Sequence, residues 1–305
     1  MPNPIVFIPP VDREIRIGSV FNDIFSIIYQ TEQTDTSNGR YIEWDFSRCD
    51  FLHPFYLGIL SILKKQYGDS VKITNVKPTI KHYLEIIYFH EPLEILPDDN
   101  DSSIWCRYEA KSYLPICRFN PYNNSSTKAQ ELVQNAIRRQ QNLNKGAYEV
   151  LSLLLAELVD NITEHSHSKD GYLFCQYRQS EKTLNVLICD TGQSIFSSYA
   201  LNEHFSDSVT NLESSALLLA LKGISTKDLP NAENRGHGIS KSINLIVKGV
   251  GGEFLILSGA AFARYDKHGE TIVDLPGDLR WNGTAILLKI PVGISRDFNV
   301  YDYIY

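Results

Sequence analysis

The chain has 305 residues, 43% of them hydrophobic, which suits two modest domains each burying its own core. Its formal net charge of -7, from 36 acidic and 29 basic side chains, argues against direct binding to nucleic acid or to an anionic membrane surface. No apolar run approaches the roughly 20 residues that cross a bilayer, residues 1–10 lack the basic stretch and apolar core of a secretory signal, and Cys49, Cys106, Cys117, Cys175 and Cys189 form no Cys-x-x-Cys pair, so a cytoplasmic protein with free thiols is expected.

Residues 1–98 read as a small α/β domain. Arg40–Phe46 alternates like a strand, and 56–67 carries Leu57, Leu60 and Leu63 at helical spacing up to Gly68. Val71–Val76 reads as a second strand and Thr79–Phe89 as a second helix, entered through Pro78. Strand, helix, strand, helix predicts a parallel or mixed sheet covered by helices. The polar run 97–103 is the best linker, and 104–305 is the second domain. There, 105–119 suggests one or two strands, 127–144 and 148–165 two helices, and Tyr172–Arg178 and Leu184–Cys189 two strands. A long irregular stretch, 193–234, holds one helix at 212–221. Helix 239–248 and strands 254–257 and 285–291 close the chain.

Four short motifs in the second domain carry chemistry. In Leu151–His167, Leu151, Leu155, Leu158 and Ile162 make an apolar stripe, while Glu157, Asn161 and Glu164 make a polar one. Polar groups on a buried helix need a ligand, a metal or a partner; Glu157 could orient and deprotonate water, and Asn161 could ligate magnesium. Asp190-Thr191-Gly192 follows a strand: a carboxylate there can accept from an exocyclic amine, and a glycine lets a flat ring approach the backbone. Gly236-His237-Gly238 opens a helix, where free amides and the helix dipole favour phosphate. Gly283-Thr284 leads into the last strand and offers a hydroxyl near Asp190. No Gly-Lys-Ser/Thr occurs, and the Gly-x-Gly does not follow a strand, which counts against P-loop and dinucleotide-fold readings.

Together, Glu157-x-x-x-Asn161, Asp190-x-Gly192, Gly236-x-Gly238 and Gly283-Thr284 resemble, in order, the boxes of the GHKL (Bergerat-fold) ATPases, over about residues 104–295. The resemblance implies an α+β domain in two layers, a mixed sheet backed by helices, with ATP between the helices and a lid at 193–234. It implies that Glu157 polarises the attacking water or hydroxyl, Asn161 binds magnesium, Asp190 reads the adenine amine over Gly192, Gly236 and Gly238 meet phosphate, and Thr284 assists at adenine. Two positions depart from the pattern, Ser194 and Asn234, where glycines are usual. Lys222 and Lys227 lie in the lid, and His165, just after the first box, resembles the anti-sigma-factor kinases.

Residues 40–90 are similar to the STAS fold, but His53-Pro54-Phe55 stands where antagonists of that fold carry phosphorylatable serines, which points to a partner-binding role. The functions implied are a Mg-ATP-dependent interaction switch or regulatory ATPase, a serine kinase of anti-sigma-factor type, or a GHKL module without turnover. The helix before Glu157 lacks the phosphoacceptor pattern of a sensor histidine kinase. Expected partners are ATP or ADP and another protein, a second copy of the chain included.

Overall fold

The computed structural model describes the chain apart from residues 1–2, 11–16, 35, 37–38, 98–102, 109–110, 139–144, 210–211, 225–237 and 293–305, and the side chains of 17–20, 145–147, 149–150, 153 and 238. It is a mixed α/β protein of two compact units. One unit is Met1–Leu93 with Pro115–Cys117; the other is Glu94–Leu114 with Arg118–Tyr305.

The first unit runs β1 (Ile5–Phe7), α1 (Ile17–Glu32), β2 (Ile42–Asp45), α2 (Pro54–Tyr67), β3 (Val71–Thr74) and α3 (Pro78–Ile86). Its strands form a parallel sheet in the order β1-β2-β3, as strand–helix alternation requires. Neither β1 nor α1 was among the expected elements, although Phe21, Ile24, Phe25 and Ile28 of α1 recur at helical spacing. Val6, Ile42, Trp44 and Val71 are buried, while Ile5 and Phe7 on the alternate positions of β1 stay exposed. Buried Trp44 keeps its indole N–H satisfied by the Thr31 hydroxyl at 3.1 Å. Helix α2 starts where expected for a physical reason. Pro54 occupies its first turn, and the buried ring of His53 accepts from the Phe55 N–H at 3.3 Å, capping the helix. His53, at the position the STAS resemblance gives to a serine, therefore has a capping job.

The rest of the chain runs β4 (Leu93–Glu94), α4 (Ser103–Cys106), β5 (Tyr113–Phe119), α5 (Ser125–Arg138), α6 (Lys145–His165), β6 (Gly171–Arg178), β7 (Thr183–Asp190), α7 (Ile195–Ala200), α8 (Glu213–Leu221), α9 (Gly238–Ile243), β8 (Glu253–Gly259), β9 (Ala261–Asp266), β10 (Gly269–Asp274) and β11 (Trp281–Pro291), all in the second unit except Leu93 of β4 and Pro115–Cys117 of β5. The eight strands run β10-β9-β8-β11-β7-β6-β5-β4. Three details differ from expectation. Residues 103–106 are a helical turn instead of strand, because Trp105 and Tyr108 bury into the unit instead of alternating. Strands β9 and β10 form a hairpin that Arg264, Asp266, Lys267 and Glu270 disguise as surface loop. Helix α9 passes into a π-helical stretch at Asn244–Gly249.

Strands β6, β7, β8 and β11 are the core of the sheet. Every residue of β7 is buried, and Phe254, Leu255, Ile256 and Leu257 of β8 are inaccessible. Helix α6 lays Leu151, Leu155, Leu158 and Ile162 inward, the stripe its sequence spacing predicts, and packs against α5, α9 and β7.

Candidate functional site

Strand β7 pairs with β11 so that Ile286 faces Ile188 and Ala285 faces Cys189. The two-residue period of the strands puts Ile188 and Asp190 of β7 and Thr284 and Ile286 of β11 in the floor of one cleft. Helix α6 supplies a wall with Leu158, Asn161, Ile162 and His165, one helical face at spacings of three and four. Gln193, Ser194, Tyr199, Ile224 and Ile239 complete it. The cleft encloses about 830 Å³, space open at its mouth included.

Asp190 closes the floor and is only 2% exposed. Burial pushes its carboxyl up to about 7, against the opposing effect of the backbone N–H groups of Gly192 and Thr284. The Gly192 N–H donates to its Oδ1 at 2.9 Å. Its backbone oxygen accepts from the buried Trp281 indole at 3.0 Å. The turn allows no side chains. A Cβ on Gly192 would lie 2.1 Å from the Ser166 backbone oxygen and 2.8 Å from the Ser168 nitrogen. Gly283 has φ +98°, and a Cβ there would come within 2.5 Å of both Asp190 oxygens, backbone O and Oδ1. The Gln193 N–H donates to Ser166 O at 2.5 Å, so the turn after β7 is fastened to the end of α6.

A hydroxyl network holds the next layer. Ser258 Oγ accepts from the Ile195 N–H at 2.8 Å, lies 2.9 Å from Thr284 Oγ1 and donates to Gly283 O at 3.1 Å. Thr284 thus meets Asp190 through its backbone and Ser258 through its hydroxyl. Ser194, standing where the family resemblance expects glycine, is buried and N-caps α7 by accepting from the Ser197 N–H at 3.2 Å.

Of the residues singled out from sequence, Asn161, Asp190 and Thr284 line the cleft, and Gly192 sits directly behind Asp190. Glu157, one turn before Asn161 on α6, is exposed and is not among the lining residues. Gly238 begins α9, whose next residue, Ile239, reaches the cleft. Gly236, Lys227 and Asn234 lie outside the described residues. Lys222 caps the end of α8 and is exposed. The sequence reading missed Ser166, Ser258, Trp281 and Tyr199, which look like ordinary strand and loop residues until the register places them.

Part of the expected lid is anchored. Glu213, at the start of α8, accepts from the Ala260 N–H at 2.8 Å and from Arg280 at 2.9 Å, and the Ser214 N–H donates to Asp274 at 2.8 Å. The Tyr199 hydroxyl donates to Ile224 O, joining α7 to the segment after α8.

Asn161, which lines the cleft, has its Nδ2 buried without a hydrogen-bond partner. Among the described residues no group of three or more His, Cys, Asp or Glu could hold a metal ion, so a cation here would take most of its ligands from elsewhere. No helix among the described residues is long and apolar enough to cross a membrane.

Trp281→Phe is expected to cost about 1–2 kcal/mol, from the lost hydrogen bond to Asp190 O and the smaller ring. Chemical denaturation checks this; an unchanged midpoint would remove the indole from the support of the floor.

No protein-family model matches the chain, and no curated protein sequence matches it significantly.

Proposed function

We propose that the second unit is a GHKL-type nucleotide site and that the protein is a Mg-ATP-binding switch that regulates a protein partner. The observation that carries this reading is Asp190, a buried carboxylate on the floor of a cleft walled by Ile162, Ile188 and Ile286. Backbone amides of Gly192 and Thr284 orient it, and the flat turn beneath it excludes side chains. A purine fits that chemistry: an exocyclic amine supplies the donor, and the ring fills the apolar walls.

Asn161 would hold magnesium through its side-chain oxygen, with phosphate oxygens and water completing the shell, and its unpaired Nδ2 would donate to phosphate. The ion, when bound, would neutralise phosphate charge. Gly236 and Gly238 are proposed to give amides to the phosphates. The exposed position of Glu157 favours a switch that binds ATP over an efficient ATPase or serine kinase. The first unit is proposed, on its STAS-like sequence, as the partner-binding part.

Calorimetry with folded protein tests this directly; no binding of ATP or ADP would end the proposal. Asn161→Ala is expected to lower ATP affinity about tenfold in magnesium buffer, near 1.4 kcal/mol, and to lower it less in EDTA, where only the Nδ2 donor is lost. Equal losses in both buffers would remove the metal role. Glu157→Ala should keep affinity and lose whatever phosphate release the native protein shows; undiminished release would clear Glu157 of a catalytic part.

A further inference from the structure

The sheet edges among the described residues are not equally protected. An edge strand offers unpaired backbone N–H and C=O groups to any other strand, and proteins blunt it with shortness, proline or lysine. β1 has three residues, between Pro4 and the pair Pro9-Pro10. β3 has four and carries exposed Lys72. β4 has two, between Pro92 and Pro97. β10 ends the eight-stranded sheet, bonded to β9 alone among the described residues, and lacks these guards. It runs for six residues without proline or lysine, and Thr271, Ile272 and Val273 at its centre are β-branched. Glu270, Thr271 and Val273 are exposed, so the edge is open to solvent.

Apolar surface flanks that edge. Helix α8 packs on β9 and β10, and its first turn is pinned there by the Ser214 N–H and hydroxyl, which donate to Asp274 at 2.8 and 2.5 Å. Residues 216–221 of α8 are all apolar. Ala216, Leu217 and Leu221 are buried, but Leu218 is 38% exposed, and Leu212, just before the helix, 58%. A helix apolar all round calls for cover on its outer side as well. Val273 is exposed too, on the opposite face of the strand from Asp274.

The charges show which strand fits. Two copies can pair β10 with β10 only antiparallel, about a two-fold axis normal to the sheet, which sets one residue opposite itself. Centred on Glu270 or on Ile272, the pairing opposes acids, Glu270 to Glu270 or Glu270 to Asp274. Centred on Val273, it shortens the paired strand to residues 272–274. Centred on Thr271, it opposes Glu270 to Ile272, Gly269 to Val273 and His268 to Asp274, with Lys267 next to that acid, and no like charges meet. The same axis sets both α8 helices on one face, flanking the seam.

We infer that the β10 edge, with the outer face of α8, is a self-association surface at which a second copy of the chain continues the sheet, Thr271 against Thr271. The inference is independent of the nucleotide reading.

Sedimentation equilibrium of the full chain, without nucleotide, tests it. The native protein is expected to be a dimer in the micromolar range. Thr271→Lys and Thr271→Glu, both at an exposed position, are each expected to weaken the dimer about fivefold or more by setting like charges on the axis. An equimolar mixture of the two is expected to restore it, since lysine then faces glutamate. Native-like circular dichroism and denaturation midpoints establish that both variants fold. A native protein that stays monomeric would overturn the second copy as occupant of this edge. A dimer undiminished in both variants would overturn its placement on β10. Dimers weakened in both variants and not restored by mixing would overturn the pairing about Thr271.

Discussion

Asp190→Asn should yield a protein that is more stable at pH 8 and binds adenine nucleotide at least tenfold more weakly. The carboxyl of Asp190 is raised by burial from an ordinary value of 3.8 to about 7. Between those values folding takes up a proton, so above pH 7 the native state carries a buried charge that the unfolded chain holds in water. The difference corresponds to at most about 4 kcal/mol, at 1.36 kcal/mol per pH unit. Asparagine keeps the Oδ1 acceptor for the Gly192 N–H and removes the charge. The stability gain should therefore be largest above pH 7, shrink as pH falls and vanish only below about pH 3, where the carboxyl is protonated in both the folded and the unfolded chain. Denaturation at pH 3, 6 and 8 checks the slope; a gain independent of pH would mean that the carboxyl of Asp190 is not raised in the folded protein. The binding loss has a separate cause. The substituted amide brings N–H donors that would confront the donors of the adenine amine. Affinity equal to that of the native protein would remove Asp190 from base recognition.

Gly192→Ala and Gly283→Ala should be severely destabilising, each costing about 3 kcal/mol or more. At Gly192 the added methyl meets backbone, the Ser166 oxygen and the Ser168 nitrogen, and backbone cannot rotate away. At Gly283 it meets the Asp190 oxygens and adopts a φ that L-residues disfavour. Relief requires the turn after β7 to lift off the end of α6, which would break the bond from the Gln193 N–H to Ser166. Denaturant titration measures the cost. A loss below about 0.5 kcal/mol at either position, the range of ordinary surface substitutions, would show that the turn yields and that the glycine is not required.

What the sequence revealed depended on which physical signal each element carries. Helices α2 and α6 were legible because their apolar residues recur every three or four positions. Strand β7 was legible because Leu184 and Val186–Cys189 make a short apolar run broken only by Asn185. Helix α1 was missed although Phe21, Ile24, Phe25 and Ile28 recur every three or four positions and are buried, and the β9–β10 hairpin was missed because charges crowd its turn. In the site, Asp190 and Gly192 announced themselves as a turn of unusual chemistry. Ser258 and Trp281 gave no such signal, because their part is set by strand register, which no local pattern records. Ser194 is the instructive departure: a missing glycine in the motif became a helix cap.

Strand β11, the last described in the chain, lies in the middle of its sheet, bonded on one side to β7 and on the other to β8. During synthesis β7 and β8 exist before it, each with a flank of unanswered backbone groups, and nothing but β11 joins them. Thr284 and Gly283 arrive with that strand, so the cleft cannot assemble until nearly the whole unit has been made. Closure over so long a sequence separation is slow in entropic terms, and in the interval the two bare flanks invite pairing with other chains. A ligand that binds only the completed floor would draw the chain out of that interval by mass action and so act as a folding partner.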